Sequence, residues 1–141
     1  MKVQQLLQSK NNTIFSVTSD STVYEALVMM SEKNVGALLV IDNEELSGIL
    51  SERDYARKIV LKDKASKETL VNEIMSSNVI TITKEVTTDY CMQLMSKHKF
   101  RHLPVVQDEK VIGIISIGDI VNNIIREQQE TIDHLHSYIA S

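Results

Sequence analysis

Cysteine and proline occur once each in the 141 residues, glycine four times and tryptophan not at all. The lone thiol, Cys91, excludes an intramolecular disulfide and a multi-cysteine zinc site and suits a reducing compartment, so the cytosol is the expected address. So little glycine and proline predicts regular elements joined by short loops. No excess of positive charge exists: the formal net charge is −4. The chain therefore has no global field to hold nucleic acid or an anionic membrane, and any phosphate must be met by local groups. Long hydrophobic runs are missing too. The longest span about seven residues, against the ~20 that cross a bilayer. Met1–Lys10 is polar around Leu6 and Leu7, unlike a secretory signal or an Arg-rich transit peptide. Neither nucleic acid nor a membrane is an expected partner.

The composition that remains, 43% hydrophobic and 24% charged, is that of a globular domain large enough to build a core without disulfide or metal staples. Its main feature is a repeat. Setting Gly48 over Gly113 gives an offset of 65 that holds without a gap from Ile14/Val79 to Val60/Ile125. Thr18/Thr83, Thr22/Thr87, Met30/Met95, Val40/Val105, Glu44/Glu109, Ser51/Ser116 and Asp54/Asp119 are identical, and apolar positions meet apolar ones between them. Two copies of one supersecondary unit follow.

Each copy reads as strand, helix, strand, strand, helix. Phe15–Thr18 and Ile80–Thr83 are β-branched or aromatic and predict first strands. Asp20 and Ser21 offer N-caps for a helix whose apolar stripe is Val23, Ala26, Leu27 and Met30; Cys91, Leu94 and Met95 repeat that stripe. Ala37–Ile41 and Leu103–Val106 are continuous apolar runs, as in strands covered on both faces. Polar turns at 42–44 and 107–109 lead to third strands, Leu46–Leu50 and Val111–Ser116, and closing helices start at Ser51 and Ser116. The organisation is a helical lead-in over 1–12, a first unit over 13–62, a linker with a short helix over 63–78, a second unit over 79–125, and an amphipathic helix over 126–141. Leu70–Met75 leads into the second copy, with Val3–Leu7 as its counterpart before the first. The stripe of Ile132, Leu135, Tyr138 and Ile139 is expected to pack on a partner subunit or back across the pair.

Candidate chemistry sits at two junctions. Gly48-Ile-Leu-Ser-Glu-Arg-Asp54 and Gly113-Ile-Ile-Ser-Ile-Gly-Asp119 share Gly-x-x-Ser-x-x-Asp at a strand-to-helix corner. A capping box explains the Ser–Asp spacing by itself. Against it stand the short Asp side chain, the recurrence in both copies, and a glycine that allows close approach to a helix N-terminus, a place suited to hydroxyl and phosphate groups. A carboxylate there can accept two hydrogen bonds from a ribose diol. The second junction is Arg101-His102-Leu103-Pro104, where a guanidinium fork and a switchable imidazole stand at the mouth of a buried strand. The aligned residues in the first copy are Gly36 and Ala37, so the equipment for phosphate is concentrated in one copy. Arg53, Arg57 and Lys58 form a basic edge beside the first motif. Cys91, on an apolar helix face, reads as a buried inert thiol, and His134 and His136, two apart on a helix, point in different directions and read against a metal site. No catalytic motif or P-loop is present, so an enzyme is not expected.

Twin units that each end in Gly-x-x-Ser-x-x-Asp, with Arg-His-Leu-Pro-Val-Val opening the second buried strand, resemble a tandem cystathionine-beta-synthase (CBS) domain pair, or Bateman module, of the small stand-alone kind. The resemblance covers about Thr13 to Ile125. It implies an α/β (α+β) fold of two pseudo-two-fold related β-α-β-β-α units with clefts between them. Those clefts would take an adenosine-containing ligand: AMP, ADP, ATP, NAD(H) or S-adenosylmethionine. It also implies that Asp54 and Asp119 bind ribose hydroxyls, with Ser51 and Ser116 near ribose or phosphate. Arg101 and His102 would meet phosphate, while Arg53, read from the residues alone, is either part of a solvated basic face or a secondary phosphate contact. Val79, Ile80 and Thr81, and in the first copy Ile14, Phe15 and Ser16, would border the adenine. The expected function is a non-enzymatic energy or redox sensor, a homodimer that reports to a protein partner. The alternative is an interaction or scaffold protein with vestigial nucleotide sites.

Overall fold

The computed structural model describes residues 1–10 and 13–140; Asn11 and Asn12 of the lead-in and Ser141 of the C-terminal segment lie outside the described residues. The first copy consists of β1 (Ser16–Val17), α2 (Val23–Lys33), β2 (Ala37–Asp42), β3 (Glu45–Ser51) and α3 (Glu52–Tyr55), which passes into a π-helical turn (Ala56–Val60). The second consists of α5 (Thr88–His98), β4 (His102–Gln107), β5 (Lys110–Ser116) and α6 (Ile117–Ala140). Before them come the short helices α1 (Val3–Gln8) and α4 (Val71–Ile74). Among the described residues, no helix is long and apolar enough to cross a membrane.

The stripe positions place the helices. Val23, Ala26 and Met30 of α2 are buried, as are Cys91 and Met95 of α5. The N-caps are not Asp20 and Ser21, as expected, but Thr22 and Thr87, whose side chains accept from Glu25 N–H and Tyr90 N–H at 3.1 Å. Asp20 and Ser21 are engaged instead by the Thr18 hydroxyl, at 2.5 and 2.9 Å. A cap contributes about 1 kcal/mol, whereas burying one Val or Met contributes about 1.5–3 kcal/mol. The stripe therefore decides that the helix forms, and the threonine decides where it starts.

In the first copy β2 is central: β1 pairs with it in parallel (Ser16 with Leu39) and β3 antiparallel (Leu39 with Ile49). Ala37 to Val40 are buried in succession, the covered strand that the apolar run predicted. The β2–β3 and β4–β5 hairpins turn through two residues of positive φ each, Asn43 and Glu44, then Asp108 and Glu109, the geometry of a type I′ turn. The expected first strand of the second copy, Ile80–Thr83, is reduced to one parallel bridge between Ile82 and Val105. Proline is the reason. In the first copy Leu39 N–H donates to Phe15 C=O at 3.3 Å; the aligned donor in the second copy is Pro104, which has no N–H. Ile82 remains paired, giving its N–H to Pro104 C=O and accepting from Val106 N–H.

Two apolar cores form, and the lead-ins cross between them. Val3, Leu6 and Leu7 of α1 pack with Ile82, Cys91, Leu103, Ile115 and Ile120 of the second copy. Val71 and Ile74 of α4 pack with Val23, Leu38, Val40 and Leu50 of the first. Backbone hydrogen bonds repeat the crossing, from Val3 N–H to Val86 C=O and from Val71 N–H to Ser21 C=O. Each helix thus docks on the copy that it does not directly precede, and neither copy completes its core alone. β3 and β5 lie side by side between the copies.

Candidate functional site

Both Ser–Asp pairs stand at the starts of the closing helices, and both form capping boxes. Ser51 N–H donates to Asp54 Oδ2 at 2.9 Å while Asp54 N–H donates to Ser51 Oγ at 3.2 Å. Ser116 and Asp119 repeat this at 2.8 and 3.1 Å. The short aspartate side chain, expected to weigh against a capping box, does reach: both boxes close, because the extended backbone of the serine brings its N–H toward the helix start. Closing the box occupies one carboxylate oxygen in each copy, Oδ2.

The glycines are corrected as well. A Cβ on Gly48 would stand 2.8 Å from both Met75 Sδ and Ser76 C=O, and one on Gly113 would stand 2.8 Å from Leu7 Cδ2. The close approach these glycines permit is that of the crossing lead-ins. Neither is a vacancy kept for a ligand.

Around the two aspartates the copies diverge. Asp119 Oδ2 also accepts from Lys10 Nζ at 2.7 Å, and that ammonium donates in addition to Ile114 C=O at 2.8 Å. Burial works to raise the Asp119 carboxyl, but the Lys10 and Ser116 hydrogen bonds outweigh it and hold the carboxyl below its ordinary range. His102 pairs with Ser116 across the β4–β5 ladder, and Arg101 C=O accepts from Ile117 N–H at 2.9 Å. Burial depresses the His102 imidazolium, Asp119 opposes that, and Lys10 and Arg101 reinforce it. Arg101, His102, Ser116 and Asp119 are thus brought to one corner, and a fifth group, Lys10, joins them. Sequence reasoning missed Lys10 because nothing near it in the chain marks it.

The first copy repeats the corner without the cations from β2: Glu52 N–H donates to Gly36 C=O at 3.0 Å, and Ala37 pairs with Ser51. Among the described residues, the cation paired with its aspartate is local. Lys58 Nζ lies 3.4 Å from Asp54 Oδ1 and donates to Ile74 C=O at 2.8 Å. Arg53 is exposed on α3.

The first-strand residues lie against their own cores. Phe15 packs on the first core beneath the Lys33 ammonium, 5.6 Å from the ring centroid, and Ser16 pairs in β1. Ile80 packs on the second core, Ile14 and Val79 are half-buried, and Thr81 is exposed. Among the described residues no hydrogen bond joins these six to either aspartate. Cys91 is buried, which pushes its thiol up to about 11, and His134 and His136 are exposed on α6.

A sequence model of the CBS domain matches the chain twice, over residues 10–61 and 71–126. The CBS domain-containing protein CBSX3, mitochondrial, of Arabidopsis thaliana is 42% identical over 127 residues, 86% of this chain; the chain spans 62% of that relative's length. A solved structure from Burkholderia ambifaria MC40-6, whose name assigns a CBS-domain protein to signal transduction, is 47% identical, covers 91% of this chain and 96% of its own, and superposes with a TM-score of 0.88. The CBS domain pair of protein MJ0100, solved in complex with 5′-methylthioadenosine and S-adenosyl-L-methionine, is 26% identical over 90% of this chain and 98% of its own, with a TM-score of 0.79.

Proposed function

The chain belongs to the CBS-domain family as a tandem pair, and from that premise we propose that it is a regulatory module governed by an adenosine-containing ligand held beside Asp119. The observation that carries this reading is the convergence of Asp119 with Ser116, Arg101, His102 and Lys10 at one corner of the second copy. Asp119 Oδ1 takes no hydrogen bond from any described residue and faces the role of ribose acceptor, and the cationic groups suit a phosphate. Adenine would lie along Val79, Ile80 and Thr81, or in the other cleft along Ile14, Phe15 and Ser16. Asp54 and Ser51 offer a second, poorer site, with Arg53 at its edge. The adenosine ligands bound by the MJ0100 pair support the ligand class. No residue is given a catalytic role. The module reports energy or redox state, through AMP, ADP, ATP or NAD(H), to a protein partner in the cytosol.

The same reading makes the protein a homodimer through α6. Val121, Ile125, Gln128, Ile132, Leu135 and Ile139 recur at alternating steps of four and three residues, the spacing of a coiled-coil seam. The outer part of this face is bare: Leu135 is 53% and Ile139 82% exposed. A second copy of the helix offers a stripe of the same period.

Thermal melting with AMP, ATP, NADH and S-adenosylmethionine tests the ligand reading. A ligand at about a hundred times its Kd adds roughly 2.7 kcal/mol, a rise of several degrees for a chain of this size. At least one of the four is expected to give it, and Asp119→Ala or Arg101→Ala to reduce it more than Asp54→Ala. Flat curves with all four would leave the scaffold reading, in which α6 alone carries the function.

A further inference from the structure

Lys10 is held in place by the fold and not by its neighbours in sequence. Leu7 fills the hollow over Gly113, the Ser9 hydroxyl caps the end of α1 on Leu6 C=O at 2.8 Å, and Lys10 then lies along β5. There its ammonium spans Ile114 C=O and Asp119 Oδ2. The ion pair is three-quarters buried on both sides, so screening by water is reduced and an unpaired partner is costly. In the first copy the cation facing the aspartate is four residues away on the same helical segment, nearly half exposed, and 3.4 Å distant. The second corner therefore contains a long-range ion pair, flanked by Arg101 and His102, that has no counterpart in the first among the described residues.

We propose that Lys10 is the specificity-determining residue of the second copy's corner: it neutralises Asp119 in the absence of ligand and passes to the ligand's phosphate when a ribose takes the carboxylate. This rests on the reading that the ribose binds at Asp119. A ribose diol gives one hydroxyl to the open Oδ1 and the other to Oδ2, where it competes with the ammonium. A ligand with a phosphate gives Lys10 a new anionic partner within a corner that already holds Arg101 and His102. A neutral nucleoside leaves the half-freed ammonium without one, and S-adenosylmethionine, whose single carboxylate is outweighed by its ammonium and sulfonium, brings a net positive charge. The corner thus favours adenosine phosphates over adenosine and over S-adenosylmethionine, and the preference depends on Lys10 itself.

Calorimetry on the full chain with AMP, adenosine and S-adenosylmethionine tests this in wild type, Lys10→Met, Lys10→Arg and Asp119→Ala. Wild type is expected to bind AMP at least tenfold more tightly than either other ligand. Lys10→Met should shrink the AMP-to-adenosine ratio by at least tenfold, with AMP weakened and adenosine unchanged or improved, and Lys10→Arg should keep most of the ratio. S-adenosylmethionine binding wild type as tightly as AMP would overturn the proposal without recourse to any variant. So would an unchanged ratio in Lys10→Met while Asp119→Ala abolishes binding, a result that leaves the ribose site standing. Should none of the three ligands bind wild type, the reading of the site fails, and the role of Lys10 with it.

Discussion

Leu7 and Gly113 fit together across 106 positions of chain: a Cβ on the glycine would stand 2.8 Å from Leu7 Cδ2. Gly48 has the matching relationship with the other lead-in, where the obstacles are Met75 Sδ and the Ser76 carbonyl, both at 2.8 Å. The difference between a side-chain tip and a backbone oxygen decides what each glycine tolerates.

At Gly113 an added methyl displaces a leucine methyl that can rotate, and the gain from removing a glycine from a strand interior, about 0.5–1 kcal/mol, offsets part of the crowding. At Gly48 the methyl meets a carbonyl held by the Ile49–Ser76 bridge, with hydrogen bonds of 2.9 and 3.0 Å. Gly48→Ala is expected to cost about 1–3 kcal/mol, several degrees of Tm, and Gly113→Ala less than half as much. Calorimetric melting of the two variants decides it; equal losses would show that Ser76 yields as easily as Leu7.

His102 should make stability and binding respond to pH in opposite directions. Its folded-state pKa is depressed below the ordinary 6.5, so the unfolded chain takes up this proton first as the solution is acidified. Stability in the absence of ligand therefore falls as pH drops from about 6.5 toward the folded value, and rises with pH through that window. A bound phosphate favours the imidazolium, so AMP affinity rises as pH falls over the same range. His102→Gln is expected to flatten both slopes, measured as Tm without ligand and as Kd for AMP, each relative to wild type so that the phosphate's own titration cancels. Identical slopes in the two proteins would remove His102 from the site.

The α6 seam predicts a dimer of twice the 16.0 kDa chain. Replacing Ile132 and Leu135 with glutamate together places like charges in the seam without touching either core, since both side chains are about half exposed in the single chain. Light scattering should find wild type dimeric and the double variant monomeric, with far-ultraviolet circular dichroism little changed. A variant that stays dimeric would assign the interface to some other face.

Much of this architecture is legible in the residues themselves, because it depends on interactions between near neighbours. The 65-residue repeat, the 3.6-period stripes ending at Met30 and Met95, and the buried runs that became β2 and β4 all follow from local spacing. The first strand expected at Ile80–Thr83 failed because Pro104 stands where Leu39 supplies a donor, and that the donor is needed there is a fact of the paired strands, not of the spacing. The Ser–Asp pairs could be located by their spacing, but spacing alone did not settle that they cap their helices. Tertiary structure decided the rest. That α1 completes the second core and α4 the first depends on which apolar hollow each helix finds, and that choice is made by packing between segments far apart in the chain. Lys10 reaches Asp119 across 109 positions only because Leu7 is seated over Gly113. A lysine in a polar lead-in looks like any other solvated lysine until the chain returns to cover it.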